Sequence, residues 1–315
     1  MLVIKRLNNF GVKHPGAIAA LGSFDGLHLG HRAIIKKLVA RAKKIGHDSV
    51  VITFDPHPQQ ILSRDKTPCL LTSLPEKQGM LESLRVGVMA VIRFSPRVAL
   101  LSPEEFIRSV MVNKLAVSEV ICGNDCGFGA GRKGNINTLE ELGKKMGFRV
   151  LVLSSLKTNG SKISSSNIRS LISSGKVEKA NKMLGRAYSI RGTVVKGLGL
   201  GRKLGFPTAN IKLSNSQKLL PRDGVYAAGA RIGKKGYRGM LYIGSQHTIG
   251  RTTRTIEFNA FGGKHDLSGK KAEIFFHKYI RPGKKYDTVE ALIRAIKGDQ
   301  EKIEKYFGEA YRIDF

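Results

Sequence analysis

A glycine-rich segment near the amino terminus carries two histidines three residues apart. It follows an apolar run from Ala17 to Leu21 and reads Gly22-Ser23-Phe24-Asp25-Gly26-Leu27-His28-Leu29-Gly30-His31. Apolar residues then recur at helical spacing from Ile34 to Ala42, which predicts a strand, a loop and a helix in this order. A helix N-terminus attracts anions through its unpaired N–H groups and its dipole, and residues three apart share one side of the first turn. The segment therefore predicts a phosphate site at a strand end, with His28 and His31 as candidate catalytic residues.

The spacing of the two histidines resembles the HxGH signature of nucleotidyltransferases, which transfer AMP or CMP from a nucleoside triphosphate. The resemblance implies that ATP contacts both histidines and the glycine-rich loop before them. The loop residues concerned are Gly22, Ser23, Phe24, Asp25 and Gly26. The competing interpretation is structural, with two polar histidines in a helix cap beside a glycine turn.

Three further segments place polar or rigid groups where they can join this site. One follows the second predicted strand, one follows the fourth, and one begins a later helix. Their residues are Pro56, His57, Pro58, Asn124, Asp125, Ser164, Ser165, Ser166 and Arg169. Serine hydroxyls can cap a helix and bond phosphate oxygens, and an arginine offers a fork for a triphosphate. Taken alone, His57 is more often an exposed loop residue, and a serine run such as Ser164 to Ser166 is usually only a helix cap.

A second glycine-rich run occurs in the other half of the chain. Gly197, Gly199 and Gly201 lead through Lys203 into Phe206-Pro207. A dinucleotide fingerprint would lead into a helix, so that interpretation does not fit. A mobile flap over the phosphates of ATP fits better. The Thr208-Ala209-Asn210 sequence that follows is, in isolation, more often a simple turn.

One acidic residue in this basic half is a candidate general base. Glu257 is one of four acids between residues 188 and 286. Strand alternation puts Ile256 and Phe258 on one face and Glu257 on the other. A carboxylate there can accept the proton of a hydroxyl group that attacks a phosphate. The alternative is an ion pair with a nearby Lys or Arg.

The elements that must position these residues change in character along the chain. The first half alternates apolar strands with helices, which predicts an α/β, Rossmann-like domain with a parallel sheet over residues 1–185. The HxGH resemblance implies that this is a nucleotidyltransferase domain. Residues 186–315 contain glycine-punctuated strands and a closing helix from Thr288 to about Tyr306, which predicts a small antiparallel β-barrel. The predicted strands are Ala17–Leu21, Ser49–Phe54, Val88–Phe94, Glu119–Gly123, Arg149–Leu153, Tyr188–Val195, Gly224–Ile232, Tyr237–Ile243, Arg254–Phe261 and Lys271–Arg281. A hairpin turn is expected at residues 233–236.

Composition limits the class of protein. The 315 residues contain 41% hydrophobic and 25% charged residues, as globular proteins do. No apolar run approaches the ~20 residues that cross a bilayer, and three cysteines without a CxxC pair favour a reduced, cytoplasmic setting. The formal net charge of +30 would attract anionic substrates such as ATP and would also favour non-specific contact with nucleic acid. We interpret most of this excess as a solvated surface. Composition does not indicate an oligomeric state.

Taken together, the segments resemble the prokaryotic bifunctional riboflavin kinase/FAD synthetases. Gly22–His31, Thr53–Pro58, Asn124–Arg132 and Ile163–Arg169 are similar to the FAD synthetase module in order and spacing, and Gly197–Asn210 resembles the riboflavin kinase signature. The resemblance covers essentially the whole chain. It implies ATP-dependent phosphorylation of riboflavin to FMN, then adenylylation of FMN by ATP to FAD with release of pyrophosphate.

The resemblance also implies roles for single residues. Thr208 and Asn210 would hold Mg²⁺ with ATP, and Glu257 would be the base for the ribityl 5′-hydroxyl of riboflavin. Flavin contacts would come from Pro56, His57, Pro58, Asn124, Asp125 and Arg281. ATP contacts would come from the loop at residues 22–26, His28, His31, Ser164, Ser165, Ser166, Arg169, Gly197, Gly199, Gly201, Lys203, Thr208 and Asn210.

Several positions depart from the family pattern. Cys126 stands where an aromatic residue is usual, and Gly283 stands where a glutamate commonly helps to hold the flavin ring. These changes concern flavin recognition more than phosphate chemistry. Two alternatives therefore stay open: an FAD synthetase with an altered flavin-binding barrel, and a basic nucleic-acid-binding protein on the same fold.

Overall fold

The computed structural model describes residues 1–5, 14–62, 69–158, 160–197, 199–248, 251–263 and 265–309. The chain divides into two compact units, Met1–Ser165 and Ser166–Phe315. Among the described residues, no helix combines the length and the apolar character that crossing a membrane requires.

The first unit contains a six-stranded parallel sheet whose strand order reverses at its centre. The order is β1-β4-β3-β2-β5-β6. The strands are β1 (Leu2–Ile4), β2 (Ala17–Leu21), β3 (Ser49–Asp55), β4 (Val88–Arg93), β5 (Val117–Gly123) and β6 (Arg149–Leu153). β2 is thus flanked by β3 on one side and β5 on the other, which creates a topological switch point. The predicted parallel α/β domain is confirmed; the three-residue edge strand β1 is an addition.

Helices follow the strands of this unit, and apolar clusters cover both sheet faces. Ala17 and Ala19 belong to one cluster, whereas Ile18 and Ala20 belong to the other, as strand alternation requires. The helices are α1 (Leu29–Ile45), α2 (Pro58–Leu62), α3 (Leu74–Ser83), α4 (Pro96–Ala99), α5 (Pro103–Phe106) and α6 (Ile136–Met146), and Lys157–Thr158 pairs with Ser161–Lys162 as β7 and β8. After α5, the chain continues as a π-helix, Ile107–Val112.

The second unit contains a closed antiparallel barrel of six strands, in the order β10-β13-β12-β11-β14-β9. The strands are β9 (Tyr188–Val195), β10 (Ala209–Leu213), β11 (Gly224–Ile232), β12 (Lys235–Thr248), β13 (Arg251–Ala260) and β14 (Lys271–Arg281). Tyr188, Tyr226, Phe258 and Phe276 are fully buried in this unit. The predicted barrel and the hairpin between β11 and β12 are confirmed, whereas β10 lies outside the predicted strands.

Four helices belong wholly or largely to this unit: α7 (Ser165–Ser173), α8 (Val177–Leu184), α9 (Leu200–Lys203) and α10 (Val289–Glu309). On α8, Asn181 Nδ2 donates to the Phe276 carbonyl at 2.8 Å, and its Oδ1 accepts from Tyr188 N at 2.7 Å. Because α8 is bonded to barrel strands in this way, the compact units divide at residue 165. The boundary predicted near residue 185 marks a different feature, the point where the sequence changes from alternating strands and helices to glycine-punctuated strands.

A buried ion pair attaches the closing helix to the barrel. Arg281 Nε donates to both carboxylate oxygens of Asp299, at 3.0 and 2.8 Å, and its Nη2 lies 2.7 Å from Oδ2. The Asp299 side chain is only 3% exposed. Since these contacts hold the charged form, they raise the pKa of Arg281 against the opposing effect of its burial. The arginine predicted for flavin binding is thus also a link between β14 and α10.

We expect Asp299→Asn to destabilise the second unit by about 3 kcal/mol, because removing one partner leaves a partly buried guanidinium uncompensated. Urea unfolding of the variant measures this loss. Asp223→Asn is the matched control, since Asp223 pairs with Arg254 but is 43% exposed. That change is expected to cost less than about 1 kcal/mol. Equal effects of the two variants would contradict a special role for the buried pair.

Candidate functional sites

The loop after β2 lies at the switch point of the parallel sheet. Gly22 N donates to the Ile52 carbonyl at 3.1 Å, so the loop leaves β2 alongside the end of β3. The loop then turns through left-handed conformations at Phe24, Gly26 and Leu27 before α1 begins. Open α/β sheets bind ligands at this position, where two neighbouring strands diverge to opposite sides.

The carboxylate of Asp25 fixes the shape of this loop from within. It is 1% exposed and accepts hydrogen bonds from Leu71 N at 3.0 Å and from Thr72 N at 2.9 Å. The Thr72 hydroxyl donates to the same carboxylate at 3.0 Å and accepts from Gly26 N at 3.0 Å. Asp25 is predicted to bind ATP. The hydrogen bonds described for its carboxylate come from the backbone N–H groups of Leu71 and Thr72 and from the Thr72 hydroxyl, and they position the loop.

The two histidines of the motif stack on each other at the beginning of α1. His28 is the N-cap, and its Nδ1 accepts from His31 N at 3.2 Å. A neutral ring that accepts at Nδ1 carries its proton at Nε2, so His28 has an N–H to donate from that atom. The ring centroids of His28 and His31 lie 3.6 Å apart with the planes 15° from parallel. The structure thus brings together the two residues predicted for catalysis.

Burial, together with the nearby His28 and Lys77, holds the pKa of His31 well below its usual 6.5. His31 is therefore neutral at pH 7. Within the part of the chain that the structure describes, its Nδ1 is buried and has no hydrogen-bond partner. Its ring contacts that of the buried Phe24 edge-on, with the ring centroids 5.2 Å apart. A buried polar atom without a partner costs free energy unless a ligand or water satisfies it. This atom is a natural contact point for a bound substrate.

Lys77 is a buried residue beneath the loop that sequence reasoning did not identify. Its Nζ donates to the Ser23 carbonyl at 2.6 Å and to Thr53 Oγ1 at 2.9 Å, and Thr53 Oγ1 donates to the same carbonyl at 3.1 Å. Burial lowers the pKa of Lys77 from 10.5 to about 8, although Asp25 and Asp55 oppose this shift. The capping box of Ser73 and Glu76 predicts the start of α3 beside Lys77. It does not predict that Lys77 contacts Ser23, which lies 54 residues away in the sequence.

The remaining predicted residues of the first half occupy loops after β3 and β5 and the start of α7. The Asp55–Pro56 peptide is cis, and His57 N donates to Gln60 Oε1 at 3.0 Å. Asn124 Oδ1 accepts from the Ser155 hydroxyl, and Asp125 pairs with Lys162 at 3.4 Å.

Ser165 Oγ donates to the Asp25 carbonyl at 2.9 Å. That bond joins the first of these serines on α7 to the glycine-rich loop. Pro58 begins α2, Ser164 precedes α7, and Ser166 and Arg169 lie on α7 among the residues of the second unit.

In the second unit, three predicted residues meet on adjacent barrel strands. Asn210 on β10 lies opposite Glu257 on β13 in the antiparallel register. Thr208 Oγ1 donates to Glu257 Oε2 at 3.3 Å. Asn259 Nδ2 donates to the Pro207 carbonyl at 2.8 Å and so holds the segment before β10 in place. The cluster presents a carboxylate, a hydroxyl and an amide, which together suit phosphate transfer through a bound cation.

The glycine-rich run crosses directly over this cluster. A Cβ atom on Gly197 would lie 2.0 Å from Asn210 Nδ2, and one on Gly201 would lie 2.4 Å from the Phe206 carbonyl oxygen. Only glycine allows such close approach. The run lines a cavity of about 370 Å³ together with other barrel residues. These include Arg202, Thr208, His265 and Asp266. The backbone of Lys203 ends α9; its side chain lies outside the described part of the structure.

Tyr242 is a second residue that the sequence analysis did not identify. It lies opposite Glu257 in the register of β12 and β13. Burial, with the charges of Asp223 and Glu257, raises the pKa of Tyr242, and Arg281 opposes this rise. Its hydroxyl is therefore protonated at neutral pH and can donate. Strand alternation in β12 offered a signal, because Tyr242 occurs within the predicted strand over residues 237–243.

Comparisons with known proteins agree with this division into two sites. The family model described as FAD synthetase matches residues 12–167, and the one described as riboflavin kinase matches residues 184–307. The bifunctional riboflavin kinase/FMN adenylyltransferase of Buchnera aphidicola from Schizaphis graminum is 35% identical over 98% of this chain and 99% of its own length. The enzyme of the same name from Listeria monocytogenes is 36% identical over 93% of each chain.

A solved structure shares the fold over nearly the whole length. It is that of a protein from Streptococcus pneumoniae named as a macrolide-efflux protein, with a TM-score of 0.87 and 28% identity. The match covers 96% of this chain and 99% of the other. The same arrangement of a parallel sheet followed by a barrel is therefore found in an experimentally determined structure.

We expect the Lys77 amine to titrate near pH 8 in NMR spectra of labelled lysine side chains, whereas exposed lysines titrate near ~10.4. Lys77→Met should remove that single signal. Since the unfolded chain keeps this proton to higher pH than the folded one, the free energy of unfolding rises with pH between those two values. Relative to Lys77→Met, the protein should gain about 3 kcal/mol across this window. If every lysine titrates near its ordinary value, Lys77 is not buried as described.

Proposed function

The chain belongs to the family of bifunctional riboflavin kinase/FMN adenylyltransferases, and we propose that its two reactions run in separate sites, one in each half of the chain. As a member of this family it phosphorylates riboflavin to FMN and joins FMN to the AMP portion of ATP. Two separate groups of polar side chains support the proposal: the stacked His28 and His31 at the start of α1, and Thr208, Asn210 and Glu257 beside β10 and β13. We assign adenylyl transfer to residues 1–185 and phosphorylation to residues 186–315.

In adenylyl transfer, a phosphate oxygen of FMN attacks the α-phosphorus of ATP, and pyrophosphate leaves. The N-terminus of α1 offers backbone N–H groups, and His28 offers Nε2–H, to oxygens that gain charge in the transition state. His31 is neutral at pH 7 and acts as a hydrogen-bonding group. Arg169 would stabilise the triphosphate. No covalent intermediate with the protein is required, because phosphoryl chemistry proceeds by positioning and charge stabilisation.

In the kinase reaction, the 5′-hydroxyl of riboflavin attacks the γ-phosphorus of ATP. Glu257 would accept the hydroxyl proton, since its carboxylate lies on the strand next to Asn210 and within hydrogen-bond reach of Thr208. The run from Gly197 to Gly201 would close over the phosphates. ADP leaves, and Glu257 would release the proton that it accepted to the solvent.

Mg²⁺ fits the donors of this cluster. Thr208 and Asn210 supply a hydroxyl and an amide oxygen, which are hard ligands of the kind that this cation prefers. We assign these two residues as those that would hold the metal with ATP. When bound, Mg²⁺ neutralises charge on the phosphate oxygens.

Flavin contacts would come from the residues already placed in the loops after β3 and β5 and from Arg281. The guanidinium of Arg281 is held by Asp299, so it would meet a flavin with its orientation fixed. We place both reactions in the cytoplasm, where thiols such as the three of this chain stay reduced. The net charge of +30 would steer ATP to the protein and hold nucleic acid only non-specifically.

Replacing both His28 and His31 by alanine should abolish FAD formation and leave riboflavin phosphorylation intact. Each lost transition-state contact costs about 10²–10³ in rate. Chromatography of the products from FMN plus ATP, and from riboflavin plus ATP, measures both reactions in one preparation.

Two controls separate chemistry from folding. His28→Asn keeps a side-chain acceptor at the N-cap but removes the imidazole, so it should lose activity while preserving the helix. His47→Ala changes an exposed histidine of the same unit and should have no effect. Undiminished FAD synthesis by the double alanine variant would overturn the assignment.

Glu257→Gln should remove most kinase activity and spare FAD synthesis from supplied FMN. Glutamine keeps the volume of the side chain but cannot take the hydroxyl proton, so kcat should fall by about 10²–10⁴ with little change in the KM for ATP. Steady-state kinetics of FMN formation measures the effect. A modest, parallel loss of rate and of thermal stability would instead indicate a structural role for this carboxylate.

A further inference from the structure

A lateral row of side chains crosses four strands of the barrel on one face. Residues directly opposite each other in an antiparallel register point to the same side of a sheet. Glu257 on β13 lies opposite Tyr242 on β12, and Tyr242 lies opposite Val225 on β11. Val225 in turn lies opposite Arg281 on β14. Tyr242 therefore stands between the carboxylate assigned as the base and the arginine assigned to flavin contact.

The two hydrogen-bond donors of this row differ in how far the protein already engages them. Arg281 donates to Asp299 from Nε and Nη2, and its Nη1 donates to the Pro282 carbonyl at 3.0 Å. Each guanidinium nitrogen therefore already has a partner. No hydrogen bond joins the Tyr242 hydroxyl to another of the described residues. The phenol is thus a donor that the fold leaves available to a ligand.

Apolar packing and two glycines set the position of this phenol. The ring packs against the apolar cluster that includes Val225 and Met240 and that α10 completes. A Cβ atom on Gly244 would overlap the Tyr242 hydroxyl, and one on Gly283 would lie 3.3 Å from it. Neither glycine has a positive φ. The space that the phenol takes, and not the backbone conformation, is therefore what favours glycine at these two positions.

We propose that Tyr242 is a specificity-determining residue of the second site, whose hydroxyl donates a hydrogen bond to the ribityl chain of riboflavin. The proposal rests on the kinase function assigned above to the barrel. Side chains opposite each other on neighbouring strands have Cβ atoms about 5 Å apart. With the 5′-hydroxyl at Glu257, the next hydroxyls of the five-carbon chain therefore pass within reach of Tyr242. The ring system is then carried along the row toward Arg281.

Tyr242→Phe removes the hydroxyl and keeps the ring. The KM for riboflavin should rise about three- to tenfold, which corresponds to one neutral hydrogen bond. The kcat and the KM for ATP should not change, because the contact is made equally in the ground state and the transition state. Steady-state kinetics of FMN formation measures all three constants. An unchanged KM for riboflavin would overturn the proposal.

Tyr306→Phe is the matched control. Tyr306 packs against the same apolar cluster as Tyr242, but it lies on α10 and outside the lateral row. Its loss of a hydroxyl should leave the KM for riboflavin unchanged. If both variants raise this KM equally, the effect comes from packing of the cluster and the proposal is wrong.

A substrate analogue identifies the part of riboflavin that Tyr242 contacts. Lumiflavin has the same ring system with a methyl group in place of the ribityl chain, so it should compete with riboflavin without being phosphorylated. Its inhibition constant in the kinase reaction should be the same for the native protein and for Tyr242→Phe. If lumiflavin binding weakens as much as riboflavin binding, Tyr242 acts on the ring and the assignment to the ribityl chain fails.

A double-mutant cycle with Gly283→Ala tests the position of the hydroxyl. The added Cβ would lie 3.3 Å from the hydroxyl oxygen of Tyr242 but 3.6 and 3.9 Å from the ring carbons Cε2 and Cζ, which is ordinary contact. Gly283→Ala should therefore raise the KM for riboflavin at least about twofold in the native protein, since displacing a donor weakens its hydrogen bond. It should add nothing in Tyr242→Phe. Additive effects would contradict the described position of the phenol.

A direct titration separates this inference from the proposed function. Riboflavin is fluorescent, so its emission reports its binding in the presence of ADP, which cannot phosphorylate it. The Kd should rise by the same three- to tenfold in Tyr242→Phe. A chain that binds riboflavin in this way but forms no FMN would contradict the proposed kinase reaction and support the role of Tyr242. A Kd that is equal in both proteins would overturn that role even where FMN is formed.

Discussion

The carboxylate of Asp25 is the constraint on which the first site depends. A buried charge in a loop is costly unless donors surround it, and here Leu71 and Thr72 supply them. The loop is held from the other side by Lys77, which bonds the Ser23 carbonyl. With both ends of the loop fixed in this way, the chain enters α1 at His28. The stacked imidazoles therefore owe their position to buried polar groups that bond the loop itself.

The two proposed sites would handle phosphates by different physical means. In the parallel sheet, the helix that follows β2 presents backbone N–H groups, and these suit the direct binding of anions. Among the described residues of the barrel unit, the helix that precedes Thr208 and Asn210 is α9, of four residues, so side-chain groups on and beside β10 and β13 are the ones available. Carboxylate and amide oxygens would bind a phosphate through a cation. The chemistry of each site follows from its secondary structure.

Much of the fold could be predicted because local patterns specify it. Continuous apolar runs identify the buried strands such as Ala17–Leu21, and glycine at residue 233 identifies a hairpin. β1 is not predicted because three residues are too few to show a pattern. β10 is not predicted because its five residues overlap and follow the glycine-rich run and the Thr208-Ala209-Asn210 sequence, which indicate a flap and a turn. Lys77 and Tyr242 escape for another reason. Lys77 bonds the Ser23 carbonyl 54 residues away, a contact that no spacing rule in a single sequence encodes. Strand alternation places Tyr242 in a predicted strand, but its pairing with Glu257, 15 residues away, depends on the register of β12 and β13.

Closure of the barrel has a consequence for self-association. Each of its six strands is bonded to two neighbours over part of its length, so among the described residues the barrel has no strand that lacks a partner on one side throughout. The open sheet protects one edge differently, with a strand of only three residues, Leu2–Ile4. Conditions that open the barrel would expose strands as long as β12, whose fourteen residues offer an extended template. Aggregation on heating should therefore begin in the second unit, with intermolecular β-pairing as its first step.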